Sequence, residues 1–314
     1  MVNVKKAAII GIGAVGASIA FALMEKGIFN ELILIDYNKD KAEGEAMDLS
    51  HGILYAHSPT KIRSGDYSDL KDCLVTIITA GAAQKPGETR LDLVNKNAAI
   101  MKSIIANIKP VNIEGMLLIV ANPVDILTHI AYKESGLPAN RVLGSGTVLD
   151  TARLKFALGS CLKVDNRNVH AVMIGEHGDS ELPVWSGANI CGLPIKDFCE
   201  ARGIKDYEKE LEDVYAEVRN AAYEIIKRKG STYYGIAMAV SKICQCISND
   251  ENTMLPVSTE LFGTYGLNDI ALSIPSIIGK DGVETVLELP LNEKEKHQLK
   301  KSADALKEII SKVN

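Results

Sequence analysis

Short apolar runs alternate with amphipathic stretches through the first half of the chain. Ala7–Ile12, Leu32–Asp36, Leu74–Ala80, Met116–Val120 and Arg141–Leu143 are apolar almost throughout. That pattern predicts strands whose two faces are both covered. Helix-period patterns lie between them, near Ala14–Lys26, Lys41–Leu49, Leu91–Ile108 and Pro123–Ser135. Lys109-Pro110 and Gly136-Leu137-Pro138 stop two of these helices. Regular strand–helix alternation predicts the α/β class, with a doubly wound parallel sheet between two helical layers.

The rhythm changes near residue 145. A helix starts around Val148, and strand-like runs follow at Asn168–Ile174, Met254–Val257, Ile270–Pro275 and Val283–Leu287. Two long helical patterns, about Asp206–Lys229 and Thr232–Ile247, separate them. The last helix opens at Asn292 with Glu295 three residues on, a capping-box pattern, and carries Leu299, Ala303, Leu306 and Ile310 on one face. Two domains are expected, 1–145 and 146–314, the second of α+β type. No flexible linker, repeat or low-complexity stretch separates them.

Chemistry enters first at the amino end. Residues 5–16 read KKAAIIGIGAVG, so the first apolar run passes directly into Gly11, Gly13 and Gly16. A helical pattern follows at once, and the second strand ends in Asp36. This is strand, tight turn, helix, strand and acid, the order of a Rossmann-type dinucleotide-binding βαβ unit. Gly11 permits the turn, Gly13 lets a pyrophosphate approach the backbone, and Gly16 lets the helix pack closely on the sheet. The amino end of the helix then faces the phosphates. Asp36 lies 20 residues after Gly16. A carboxylate there accepts from ribose hydroxyls and repels a 2′-phosphate, which predicts NAD rather than NADP.

Bulk properties narrow the picture. The chain has 314 residues, 46% apolar and 24% charged, with a net charge of −5 and a pI of about 5.8. These are the proportions of an ordinary soluble globular protein. No basic tract of the kind that holds nucleic acid or anionic membrane occurs, so neither partner is expected. Cysteines stand at 73, 161, 191, 199, 244 and 246. None forms C-x-x-C and none has zinc-finger spacing, so no metal is expected and the thiols read as free in a reducing compartment. MVNVKK leads straight into the first strand without a signal-peptide pattern, and no apolar run is long enough to span a bilayer. A cytoplasmic location is expected.

Four further segments carry charge or imidazole: GAAQKPGETR at 81–90, VANPVD at 120–125, LDTAR at 149–153 and GEHGDSELP at 175–183. With the glycine run and Asp36, in this order and over essentially the whole length, they make the chain resemble the L-lactate/malate dehydrogenase family. Within it the loop at 81–90 is similar to that of the L-lactate branch. The resemblance implies hydride transfer between NAD and a small 2-hydroxy acid, with pyruvate and L-lactate as the pair. Malate or a branched 2-hydroxy acid is the alternative.

The same resemblance implies the site. His177 would exchange the proton, as an imidazole can near neutral pH. Asp150 would be its partner carboxylate, and Arg153 would fork onto the substrate carboxylate. Arg90 matches the arginine of the family's closing loop, which would polarise the reacting carbonyl. Asn122 would sit near substrate and nicotinamide, Thr232 would line the substrate pocket and Ile236 the nicotinamide face. Val15, Ala80 and Gly81 would join Gly11, Gly13, Gly16 and Asp36 around NAD. Gln84 stands where the malate branch has an arginine. A neutral residue there would leave the second carboxylate of oxaloacetate unpaired and suits a methyl group. Many bacterial members are activated by fructose 1,6-bisphosphate, bound by an arginine and a histidine at positions occupied here by Lys155 and His170. Lysine keeps the charge and loses the fork, so a weakened or absent effector site is expected. The family further implies a homotetramer, with helices 39–49 and 207–229 as candidate interface elements.

Overall fold

The computed structural model describes residues 3–83, 87 and 89–313, the side chains of residues 3, 4 and 90 excepted. Six strands from the first half, β1 (Asn3–Ile10), β2 (Glu31–Ile35), β3 (Lys61–Ser64), β4 (Cys73–Ile78), β5 (Met116–Ile119) and β6 (Val142–Gly144), pair in parallel. Helices α1 (Ala14–Lys26), α2 (Lys39–Gly52), α3 (Arg90–Ile108) and α4 (Val124–Ser135) connect them. Helix α5 (Val148–Leu162) opens the second half. The short strands β7 (Val169–His170), β8 (Met173–Ile174), β9 (Leu182–Pro183), β10 (Asn189–Ile190) and β11 (Leu193–Pro194) follow. Helices α6 (Ile195–Ala201), α7 (Tyr207–Lys229) and α8 (Tyr234–Asn249) lead to β12 (Thr253–Phe262), β13 (Asn268–Gly279) and β14 (Gly282–Val286). Helix α9 (Glu293–Ile310) comes last.

The strand runs are apolar throughout because successive residues enter different cores. In β1, Ala8 and Ile10 belong to the core that also takes in α3, α4 and α9, whereas Ala7 and Ile9 belong to the one shared with α1 and α8. Leu117 and Ile119 of β5 take the first side, Met116 and Leu118 the second. A third cluster lies away from the sheet, between α5, α6 and α7. Truncating one of the large buried side chains, such as Ile10 or Leu117, to alanine costs about 2–5 kcal/mol.

Several boundaries differ from the sequence reading. The sheet does not stop near 145. Strand β12 pairs antiparallel with β6, Ser258 against Gly144 and Thr259 against Leu143, and the sheet runs β14-β13-β12-β6-β5-β4-β1-β2-β3. Without β12, β6 would present an open edge of unpaired N–H and C=O groups. The run at 168–174 breaks into β7 and β8, which join different small sheets. Strands β12 and β13 are longer than their apolar centres, because buried Ser258 and Glu260 of β12 and Ser276 of β13 continue the pairing. Strand β3, KIRS, gave no apolar signal. It buries Ile62 and is held as an edge by Arg63, whose Nε donates to Glu31 Oε1 at 3.0 Å. Arg90 is the first residue of α3 rather than part of the preceding loop. Thr89 caps that helix and Asp92 completes the capping box. Among the described residues no helix is long and apolar enough to cross a membrane.

Candidate active site

The carboxyl ends of β1, β2 and β4 surround a cavity of about 1000 Å³, bordered by Gly11, Gly13, Asp36, Thr79, Ala80 and Gly81. Gly11 has φ +99°, and a Cβ on it would lie 2.5 Å from the Ala80 nitrogen. A Cβ on Gly16 would lie 2.0 Å from the Gly11 carbonyl oxygen, so this crossing of α1 over the turn admits only glycine. A Cβ on Gly13 would meet nothing within 4 Å. Gly13 is also the N-cap of α1, with no side-chain cap, so the first-turn N–H groups remain for an anion. Asp36 Oδ2 accepts from Ile12 N at 2.6 Å and Oδ1 from Asn38 N at 3.0 Å, fixing the carboxylate at the cavity wall. An open cradle at a helix start with a fixed acid beyond it fits the pyrophosphate and ribose of NAD. Val15 is half-buried against the α1–α8 core rather than lining this cavity.

A second cavity, about 340 Å³, holds the reactive side chains. The helical turn at the start of α5 sets Asp150 and Arg153 on one face. Arg153 Nη1 donates to Asp150 Oδ1 at 2.8 Å, and His177 Nδ1 meets Asp150 Oδ2 at 2.6 Å. The histidine loop is anchored from behind. Gly175 and Ser273 of β13 exchange backbone hydrogen bonds at 2.9 and 3.1 Å, and the His177 backbone N–H donates to Asp125 Oδ2 at 2.7 Å. Asp125, in the first turn of α4, also accepts from Ser273 Oγ at 3.3 Å. The strands added to the sheet edge therefore carry part of the scaffold under His177.

Burial raises the cost of every charge here, and pairing decides where charge remains. Burial opposes protonation of His177, but Asp150, by charge and hydrogen bond, and then Glu181 and Asp125 raise its pKa to about 9. Burial likewise works against ionised Asp150, yet His177 and Arg153 hold its carboxyl below the ordinary range. Asp125 is pushed up to about 6 by burial, against the hydrogen bond from the His177 backbone and the charge of His177.

The structure thus brings together Asp150, Arg153, His177 and Asn122 on one cavity, and Gly11, Gly13, Asp36, Ala80 and Gly81 on the other. Asn97 Nδ2 donates to the Asn122 carbonyl at 2.8 Å, fixing the approach to α4. Thr232 and Ile236 are half-buried just before and within α8, and neither lines these two cavities. Gln84 lies outside the described residues, as does the side chain of Arg90. Lys155 and His170 line a separate cavity of about 220 Å³, where burial lowers the lysine pKa. Two acids were not singled out in the sequence, Asp125 and Glu181. Both stand inside motifs already marked by other residues, and an acid in an apolar run such as SELPVW is the signal that could have found the second.

Family models of the lactate/malate dehydrogenases match nearly the whole chain. The NAD binding domain matches residues 5–144 and the alpha/beta C-terminal domain matches 147–314. The chain belongs to this family. L-lactate dehydrogenase 1 of Clostridium acetobutylicum is 50% identical over 308 residues, 98% of each chain. L-lactate dehydrogenase of Thermoanaerobacter pseudethanolicus is 51% identical over 310 residues, covering 98% of this chain and 99% of its own. Among solved structures, the minor L-lactate dehydrogenase from Enterococcus mundtii in its ligands-bound form superposes with a TM-score of 0.96 at 44% identity. That match covers 99% of this chain and 98% of the other.

Proposed function

We propose that the chain is an NAD-dependent L-lactate dehydrogenase that reversibly reduces pyruvate to L-lactate. The observation that carries this reading is Asp150 held between His177 at 2.6 Å and Arg153 at 2.8 Å on the wall of one cavity. Relatives 50–51% identical along nearly the whole chain are L-lactate dehydrogenases, which favours lactate over malate or a branched 2-hydroxy acid. Residues 1–145 would form the NAD-binding domain and 146–314 the substrate domain.

When bound, NAD supplies the hydride in one direction and accepts it in the other. Gly11, Gly13 and Gly16 shape its cradle, Asp36 takes ribose hydroxyls, and Val15, Ala80, Gly81 and Ile236 complete its surroundings. Arg153 grips the substrate carboxylate with its fork. With Nδ1 of His177 committed to Asp150, Nε2 is left to give a proton to the carbonyl oxygen. A pKa raised to about 9 keeps that proton in place at neutral pH, so pyruvate reduction is favoured there and declines as pH rises through that value. Lactate oxidation needs the neutral ring. Arg90 and Asn122 would polarise the carbonyl, and Thr232 would border the substrate.

Gln84 decides between substrates. A second carboxylate facing a neutral side chain would stay unpaired, a loss of about 3–5 kcal/mol or roughly 10²- to 10⁴-fold in preference. The test is NADH oxidation against pyruvate, oxaloacetate and 2-oxoisocaproate, with and without millimolar fructose 1,6-bisphosphate. Pyruvate is expected to lead by about 10²-fold or more. Preference for oxaloacetate would transfer the reading of the second carboxylate to another cation, Lys85 first. Lys155 lacks the guanidinium fork and is weakened by burial, so the bisphosphate is expected to change the pyruvate KM by less than about tenfold.

The glycine cradle gives a second test. Gly13→Val meets open space in the protein alone, so Tm should hold while NADH affinity drops at least about tenfold. Gly16→Ala forces a Cβ to within 2.0 Å of a carbonyl oxygen and should lower Tm. Equal NADH affinity in Gly13→Val and wild type would remove the cofactor from this cradle. Exposed Met47 on α2 suits that helix to a subunit contact, in support of a homotetramer. A cytoplasmic location belongs to the same reading.

A further inference from the structure

Glu181 stands four residues after His177, where the histidine loop enters β9, and is 4% exposed. Both ends of the residue are held. Its N–H donates to the Gly178 carbonyl at 3.2 Å, and its carbonyl accepts from the Tyr215 hydroxyl of α7 at 2.6 Å. Its carboxyl belongs to the reactive cavity. One oxygen of Glu181, one of Asp150 and a ring nitrogen of His177 all lie within 4.8 Å of one another.

Two buried carboxylates this close do not both ionise at neutral pH. Asp150 is the ionised one, since Arg153 and His177 already occupy its two oxygens. Burial, and then the charge of Asp150, push Glu181 up to about 9, against the pull of His177 and Arg153. Among the described residues, the remaining charged or titratable groups on this cavity are Asp179 of its own loop and Arg219, Tyr223 and Tyr215 of α7. Asp125 of α4 lies behind the His177 backbone.

We propose that Glu181 is a positioning residue that holds a proton beside Asp150 while a 2-oxo acid carboxylate occupies the pocket, and that its ionisation closes the site to that anion. The inference rests on reading this cavity as a 2-oxo acid site. A neutral Glu181 leaves Arg153 to the incoming carboxylate. An ionised one adds like charge to a pocket that must accept an anion. The alkaline decline of kcat/KM then involves loss of two protons, one from His177 and one from Glu181.

The test is kcat/KM for pyruvate from about pH 7 to about pH 10.5 in the wild type and in Glu181→Gln. Glutamine keeps a donor toward Asp150 and has no proton to lose. The wild-type decline should steepen toward about 100-fold per pH unit, and that of the variant should relax to about 10-fold. The shallower slope in both proteins overturns the proposal. Should the variant fail to fold, calorimetry of oxamate binding to the wild-type NADH complex at about pH 9.5, in buffers of different ionisation enthalpy, decides. Uptake of more than one proton supports the proposal, and uptake of one or fewer overturns it. Failure of the underlying functional reading looks different: the wild type would turn over no pyruvate at neutral pH.

Discussion

His177→Ala is expected to lower kcat for pyruvate reduction by about 10²- to 10⁴-fold, the range lost when a positioned proton donor is removed. The loss should fall on kcat more than on KM. Arg153 keeps its bond to Asp150 and remains available to the substrate carboxylate, so ground-state binding survives in part. The variant leaves Asp150 with Arg153 as its partner, and no imidazole remains to titrate. Its residual rate should therefore lose the share of the alkaline decline that His177 imposes and keep only the single-proton decline of Glu181. Steady-state NADH oxidation across pH measures both effects. Retention of a tenth of the wild-type kcat would end the assignment of proton transfer to His177.

Much of this site was legible because short-range geometry dictates it. Gly11, Gly13 and Gly16 are fixed by a turn, an approach and a crossing, each enforced by atoms a few residues away in sequence or on the adjoining strand. Asp150 and Arg153 are three apart on a helix, and their shared face follows from that alone. What was not legible depends on distant packing. The pairing of β6 with β12 joins residues more than a hundred positions apart, and no local pattern marks β6 as an edge that needs cover. The tie from Asp125 to the His177 backbone depends on the same assembly, since Ser273 of β13 binds both the acid and the histidine loop. Glu181 was hidden for a related reason: its motif was visible, but an acid becomes neutral only through burial and through a neighbour that has already claimed the charge. Val15, Thr232 and Ile236 rest on family position alone: Val15 packs beside the α1–α8 core, and Thr232 and Ile236 are half-buried at the start of α8.

Arg153→Leu is expected to reduce kcat/KM for pyruvate by about 10²- to 10⁴-fold, the equivalent of about 3–5 kcal/mol for a buried charge left without its partner. Here the loss should appear chiefly in KM, because the guanidinium meets the substrate carboxylate in ground and transition states alike. Arg153→Lys should fall between, since it restores the charge without the two-pronged geometry. Stability separates this role from a merely structural one. Arg153 is one of two groups that hold the Asp150 carboxyl below its ordinary range. A folded-state pKa that is depressed contributes stability above the unfolded value and loses it as pH falls through the folded one. Removing Arg153 narrows that depression, so the Tm deficit of Arg153→Leu should be largest near neutral pH and should shrink on acidification. If KM stayed within about threefold of wild type while Tm fell, the arginine would be a support for Asp150 alone, and the substrate carboxylate would have to be held elsewhere.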